Sequence, residues 1–179
     1  MSNLGEKILL LLLGGVAFGC SLTPRRQRYV VRTVIKEWKK LSQKKISNEV
    51  KYLYRSKLIK RVENKDGTAA ILLTDRGKLR ALTYYFRNMK IEEKNWDGKW
   101  RLVSFDIPEK LRWGRDALRR KIKELGFYEL QKSVFIFPYE CKDEIYFIIE
   151  FFGLRKYVRY GVLESIDNDL SIKKVFDLS

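Results

Sequence analysis

The stretch from Ser42 to Gly77, SQKKISNEVKYLYRSKLIKRVENKDGTAAILLTDRG, changes its period twice. Its first part carries Ile46, Val50, Leu53 and Tyr54 at i, i+4, i+7 and i+8, the core stripe of a helix. Leu58 to Val62 then mixes apolar and basic residues and is read as a strand. Asn64-Lys65-Asp66-Gly67 supplies turn chemistry, with a glycine free to take positive φ. Ala69 to Leu73 is a second short apolar run. Thr74 is placed to cap a helix whose Leu79 and Leu82 are expected to face a core. Helix, hairpin and capped helix in that order leave few ways to pack.

The other faces of the first helix carry the charge. Lys44, Asn48, Lys51 and Arg55 fall on one stripe at i, i+4, i+7 and i+11, flanked by Lys45 and Tyr52. Lysines there can meet phosphates, and an amide and an arginine can reach base edges. An ordinary solvated face would give the same pattern. The charge of the whole chain is relevant to the choice. It has 38 Lys/Arg against 22 Asp/Glu, a formal net charge of +16 over 179 residues. Of these, 20 basic and 6 acidic residues precede Met89, whereas the remainder is nearly balanced. A basic first half and a near-neutral second half suggest two modules, the first suited to a polyanion.

Upstream, Thr23-Pro24 is a helix-start signal. Tyr29, Val30, Val34, Ile35 and Trp38 then recur at helical spacing between Arg25 and Leu41. The run Ile8 to Cys20, ILLLLLGGVAFGC, looks like a lipoprotein export signal, but Lys7 is offset by Glu6 and bulky Phe18 stands near the cysteine. We expect instead a buried helix over Ile8 to Phe18, with Leu4, Ile8, Leu11, Leu12 and Gly15 inward. A cytoplasmic protein without membrane association is then expected. Two helices, a basic-striped helix, a hairpin and a capped helix resemble the winged helix-turn-helix family. That resemblance implies a double-stranded DNA ligand, with Lys44, Lys45, Asn48, Lys51, Tyr52 and Arg55 entering the groove. Arg61 and Lys65 of the wing would touch the backbone.

The second half reads as βαββαβ. Trp100 to Ile107 is strand-like and Pro108 stops its pairing. Leu111 to Leu125 is helical, with Gly114, Ala117, Leu118, Ile122 and Leu125 inward. Its other faces carry Arg112, Arg115, Arg119, Arg120, Lys121 and Lys123, and Gly126 ends it. Two strands at Phe127–Leu130 and Ser133–Phe137, a helix at Asp143–Phe152 and a strand at Tyr157–Ile166 complete a ferredoxin-like order. The fold class is therefore α+β. Expected domains are residues 1–88, a linker at 89–98, and residues 99–179.

LVSFDIP, a basic helix, LGF and QKSVF together resemble the CRISPR-associated Cas-two nucleases over about Lys99 to Ile166. Gln131, Ser133, Val134 and Phe135 match, and Asp106 falls on that family's metal-binding aspartate. A winged helix followed by such a domain resembles the PaaX-like repressors, which have a Cas-two-like central domain and bind operator DNA as dimers. The PaaX-like resemblance implies a homodimeric transcriptional regulator with no required cofactor. It does not extend past the central domain, so it implies no effector site. The nuclease resemblance implies the alternative: a Mg²⁺-dependent endonuclease or spacer-adaptation subunit, partnered by an adaptation integrase. Asp106 would then hold metal between protomers while Arg112, Arg115 and Arg119 grip phosphate. The plainer reading, in which Asp106 caps the following turn or terminates the strand, is preferred.

The chain has no histidine, which excludes imidazole metal sites and Ser-His-Asp or Cys-His catalysis. Cys20 and Cys141 form no CxxC pair. The tail IDNDLSIKKVFDLS alternates loosely, and Ile172 to Leu178 is expected to pack at a dimer interface, as the nuclease resemblance implies.

Overall fold

A computed structural model describes residues 2–16, 43–63, 69–92 and 95–178. They form two compact units, Met1–Asn88 and Met89–Ser179. The helix read at Arg25–Leu41, the Thr23-Pro24 signal, Cys20 and the turn carrying Lys65 lie outside the described residues.

In the first unit, α1 (Asn3–Val16) packs on α2 (Gln43–Arg55), on strand β2 (Ala69–Leu73) and on α3 (Asp75–Arg87). Helix α1 starts earlier than the apolar run because the Ser2 hydroxyl caps it, accepting from Gly5 N–H at 3.1 Å. Ile8 and Leu9 are its buried residues, joined in the core by Leu53, Leu58, Ile59, Leu73 and Ala81. Leu4, Leu10, Leu12 and Leu13 pack around that core. Because they do so from more than one side of the helix, the run is apolar nearly all round. Two polar contacts fasten α1 to α3: Arg80 to Glu6 at 2.7 Å and Tyr84 Oη to Asn3 Oδ1 at 3.0 Å.

The end of α2 follows a Schellman pattern. Leu58 N–H donates to the Leu53 carbonyl and Lys57 N–H to that of Tyr54, with Lys57 at φ 57°. Strand β1 (Ile59–Glu63) then pairs antiparallel with β2, from Ile59↔Leu73 to Glu63↔Ala69. Thr74 caps α3 as expected: its hydroxyl accepts from Gly77 N–H (3.1 Å) and donates to the Lys57 carbonyl (2.8 Å). Two core expectations fail. Leu79 is 62% exposed, because Gly77 and Ala81 hold the buried side of α3. Gly77 lies so close to the hairpin that a Cβ there would come within 2.0 Å of the Leu58 carbonyl oxygen. Tyr54 is 59% exposed, one step round the helix from buried Leu53.

The second unit is a four-stranded antiparallel sheet of β3 (Trp100–Phe105), β4 (Tyr128–Gln131), β5 (Val134–Phe137) and β6 (Val158–Leu163), in the spatial order β4-β5-β3-β6. Helices α4 (Arg112–Glu124) and α5 (Lys142–Phe151) follow β3 and β5. This is the βαββαβ order read from the sequence, and the α+β class holds. Gly126 (φ 90°) and Gly153 (φ 66°) follow the two helices in the left-handed region. Lys121, expected on an outer face, is instead buried with its side chain 2% exposed, and pairs with Glu124 at 2.8 Å. Its place beside Ile122 near the end of α4 carries the aliphatic stem inward.

The tail also departs from expectation. It forms helix α6 (Asp169–Val175) rather than an extended segment. Ile172 is buried against Trp100 and Ile136, with Phe176 and Leu178 packed beside them. Trp100 Nε1 donates to Asp169 at 2.8 Å. Part of the tail's apolar surface is thus packed within its own chain, while Leu170 and Val175 of α6 stay exposed.

Arg101 lies in β3 with only 4% of its surface exposed. Its guanidinium bonds Asp97 at 2.6 and 2.7 Å, Glu140 at 3.2 Å, and the carbonyls of Lys99 and Pro138. The Arg101 hydrogen bonds, foremost, hold the Asp97 carboxyl down to about 2. A carboxylate depressed in the folded state stabilises above its unfolded pKa and loses that effect as pH falls through the folded value. Stability should therefore decline between about pH 4 and pH 2, and Asp97→Asn should flatten that decline by about 1 kcal/mol, small because Asp97 is half-exposed. Urea titrations across pH measure it; equal slopes for the two proteins would contradict the assignment. Ile172→Ala should cost about 2–5 kcal/mol in the same assay, and a change within 0.5 kcal/mol, roughly the surface-substitution range, would mean that the tail does not pack on its own sheet.

Candidate nucleic-acid interface

Helix α2 presents the basic stripe to solvent. Lys44, Lys45, Asn48, Lys51, Tyr52 and Arg55 are all exposed. Among the described residues none of the six side chains has a hydrogen-bonding or ionic partner. The opposite side of α2 carries buried Leu53 and half-buried Val50. The sequence folds this way because a helix with one apolar stripe and a cationic remainder can bury only the stripe. The Leu58 junction then fixes how the helix leaves for the hairpin.

In β1, Arg61 is exposed and reaches Glu63 at 3.6 Å, a loose surface pair. Lys65 lies outside the described residues. Sequence reasoning missed further exposed cations of this unit, among them Lys57, Lys60 and Arg76. Lys60 stands in β1 between buried Ile59 and exposed Arg61. Arg76 sits in the first turn of α3. With Tyr52, Ser56, Leu79 and Thr83 it lines an open groove of about 450 Å³ among the described residues of the unit. Exposed Leu79 belongs to that groove.

The second unit offers a different electrostatic picture. Arg112 faces Glu109 and Asp116, each at 3.6 Å. Arg115 meets Glu109 at 3.0 Å and Asp116 at 3.6 Å. Arg119 binds Glu129, which also takes Lys123 at 2.5 Å. Those two cations, Lys123 foremost, hold the Glu129 carboxyl below its ordinary range. All three arginines read as phosphate grips are therefore already matched by carboxylates of their own chain. Asp106 is exposed just beyond β3, its N–H donating to the Tyr157 carbonyl at 2.9 Å. Glu109, the next carboxylate along the chain, is engaged by Arg112 and Arg115. Among the described residues no three Asp, Glu or Cys side chains gather as a set able to hold a metal ion.

Cys141 is buried beneath the start of α5, and burial pushes both its thiol and the nearby Tyr160 phenol far above their ordinary values. A thiol held protonated in this way is no nucleophile. Among the described residues, no helix is long and apolar enough to cross a membrane.

A four-stranded β4-β5-β3-β6 sheet with two following helices defines the second unit as ferredoxin-like, a class that hosts many functions. Residues 93–173 match the family described as the PaaX protein central Cas2-like domain. The second unit is thus similar to the central domain of PaaX proteins. No curated protein and no solved structure matches the chain.

Exposed, unpaired cations have little to contribute to folding. Lys51→Ala and Arg55→Ala should each leave stability within about 0.5 kcal/mol of the parent, whereas Arg101→Ala should cost several times more. Thermal unfolding separates these outcomes, and a large loss at Lys51 or Arg55 would assign that face a structural role.

Proposed function

We propose that the chain is a dimeric DNA-binding transcriptional regulator, a repressor by its family resemblance, whose first unit is a winged helix-turn-helix. The observation that carries the reading is the α2 face: six exposed side chains able to bind phosphate or bases, none partnered among the described residues. Such a face remains cationic in the folded protein, whereas Arg115 and Arg119 of α4 already pair with Glu109 and Glu129. Its setting supports the reading, since the PaaX-like domain suggests a family of transcriptional regulators.

In this reading α2 enters the major groove of double-stranded DNA and the β1–β2 hairpin lies along the backbone. The Cas2-like unit pairs two copies, so that two α2 helices meet successive major grooves about 34 Å apart, or a multiple of that. The nuclease reading retains one supporting observation, the exposed carboxylate of Asp106 at the end of β3. Mg²⁺-dependent cleavage abolished by Asp106→Asn would favour it.

Gel shifts on duplex DNA test the regulator reading. Lys51→Ala with Arg55→Ala should abolish the shift, and affinity should fall steeply with salt, each neutralised phosphate adding about −0.9 to the log–log slope. Unchanged binding by the double variant would reject it.

A further inference from the structure

Resting on α2 as the groove-entering helix, we infer which of its side chains select sequence: Asn48 reads an adenine and Arg55 a guanine about three base pairs away.

The order of side chains around α2 carries the assignment. At about 100° per residue, the exposed sector runs Tyr54, Ser47, Lys51, Lys44, Arg55, Asn48, Tyr52, Lys45. Every one of these side chains is exposed, and Leu53 is buried on the far side. The middle of the sector falls between Lys44 and Arg55, with Asn48 about 20° beyond Arg55. A helix lying in a groove turns the middle of its exposed sector to the floor, where the base edges are, and its flanks to the phosphate walls. Tyr54 and Ser47 fall on one flank, Lys45 and Tyr52 on the other, and Lys44, Lys51, Arg55 and Asn48 lie toward the floor.

Chemistry separates the same residues. A lysine ammonium is a compact, strongly hydrated point charge suited to phosphate. A side-chain amide offers a donor and an acceptor together, matching N6 and N7 of adenine. A guanidinium offers two parallel donors, matching O6 and N7 of guanine. Within the exposed sector Asn48 is the one amide and Arg55 the one guanidinium. Neither is committed to another described residue, so both forks are available. Seven residues separate them, which is two turns and about 10 Å along the axis. Three steps of about 3.4 Å cover that distance along the duplex. Each half-site should therefore hold an adenine and a guanine at this separation.

Selection of bound duplexes from a random pool, run in parallel for the parent, Asn48→Ala and Arg55→Lys, tests the assignment. The parent should enrich a half-site with an adenine and a guanine about three base pairs apart. Asn48→Ala should lose the adenine preference alone, and Arg55→Lys the guanine preference alone, each by about tenfold to a hundredfold. Circular dichroism should be unchanged in both variants, which separates lost reading from lost fold. A parent motif lacking that pair, or variants that enrich the parent motif unaltered, would overturn the inference while leaving the regulator reading in place. A parent that enriches no motif would overturn both.

Discussion

The Leu58 carbonyl is the point on which the first unit turns. It accepts the Thr74 N–H at 3.1 Å, and the Thr74 hydroxyl lies at 3.1 Å from it and 2.8 Å from the Lys57 carbonyl. The same oxygen occupies the space that any Cβ at Gly77 would need. The end of α2, the start of the hairpin and the first turn of α3 therefore meet at one peptide group. Their buried partners, Leu53, Leu58 and Leu73, belong to one apolar cluster. Because the junction uses backbone and small residues, the cationic side of α2 takes no part in it. The helix can be anchored by one side while the other is left entirely to a ligand.

The second unit solves a different problem. Its sheet must bury both faces, and the chain has two helices and a tail with which to do it. Cross-strand register puts Val103, Phe135 and Tyr160 on one face and Leu102, Ile136 and Gly161 on the other. The tail helix α6 covers part of the second face through Ile172 and Phe176. At the entry to β3, Arg101 ties the preceding turn to the end of β5 through Asp97, Pro138 and Glu140. Charge is spent internally here: arginines that would grip phosphate on a bare surface are matched by Glu109, Asp116 and Glu129. The two halves thus differ in where their cations go as well as in how many they have.

Sequence patterns revealed the elements better than the inward side of each. Turn chemistry and the Thr74 cap marked the hairpin and α3, and the two helix-ending glycines marked α4 and α5. Leu79 was misplaced because a leucine is a stronger apolar signal than a glycine, yet Gly77 and Ala81 are what close approach demands. Lys121 and Arg101 were illegible for a related reason: burial of a charged side chain depends on long-range partners such as Pro138 and Glu140, which no local period encodes. The tail looked extended because its apolar residues alternate loosely, and only packing on Trp100 shows that they share one side of a short helix. The exposed stripe of α2 was legible, since a cationic stripe opposite an apolar one needs no tertiary information. Whether the α4 arginines were free was not, because Glu129 lies on another strand.

These observations converge on a division of labour, with a cationic helix held rigidly from behind in one unit and a neutralised, PaaX-like domain in the other. The central claim is that α2 itself contacts the DNA. Site-specific photocrosslinking tests it most directly, with benzoylphenylalanine replacing Tyr52 on α2 or Tyr146 on α5, both exposed aromatic positions. The account predicts a crosslink to duplex DNA from position 52 and none from position 146. A crosslink from position 146 alone would contradict it.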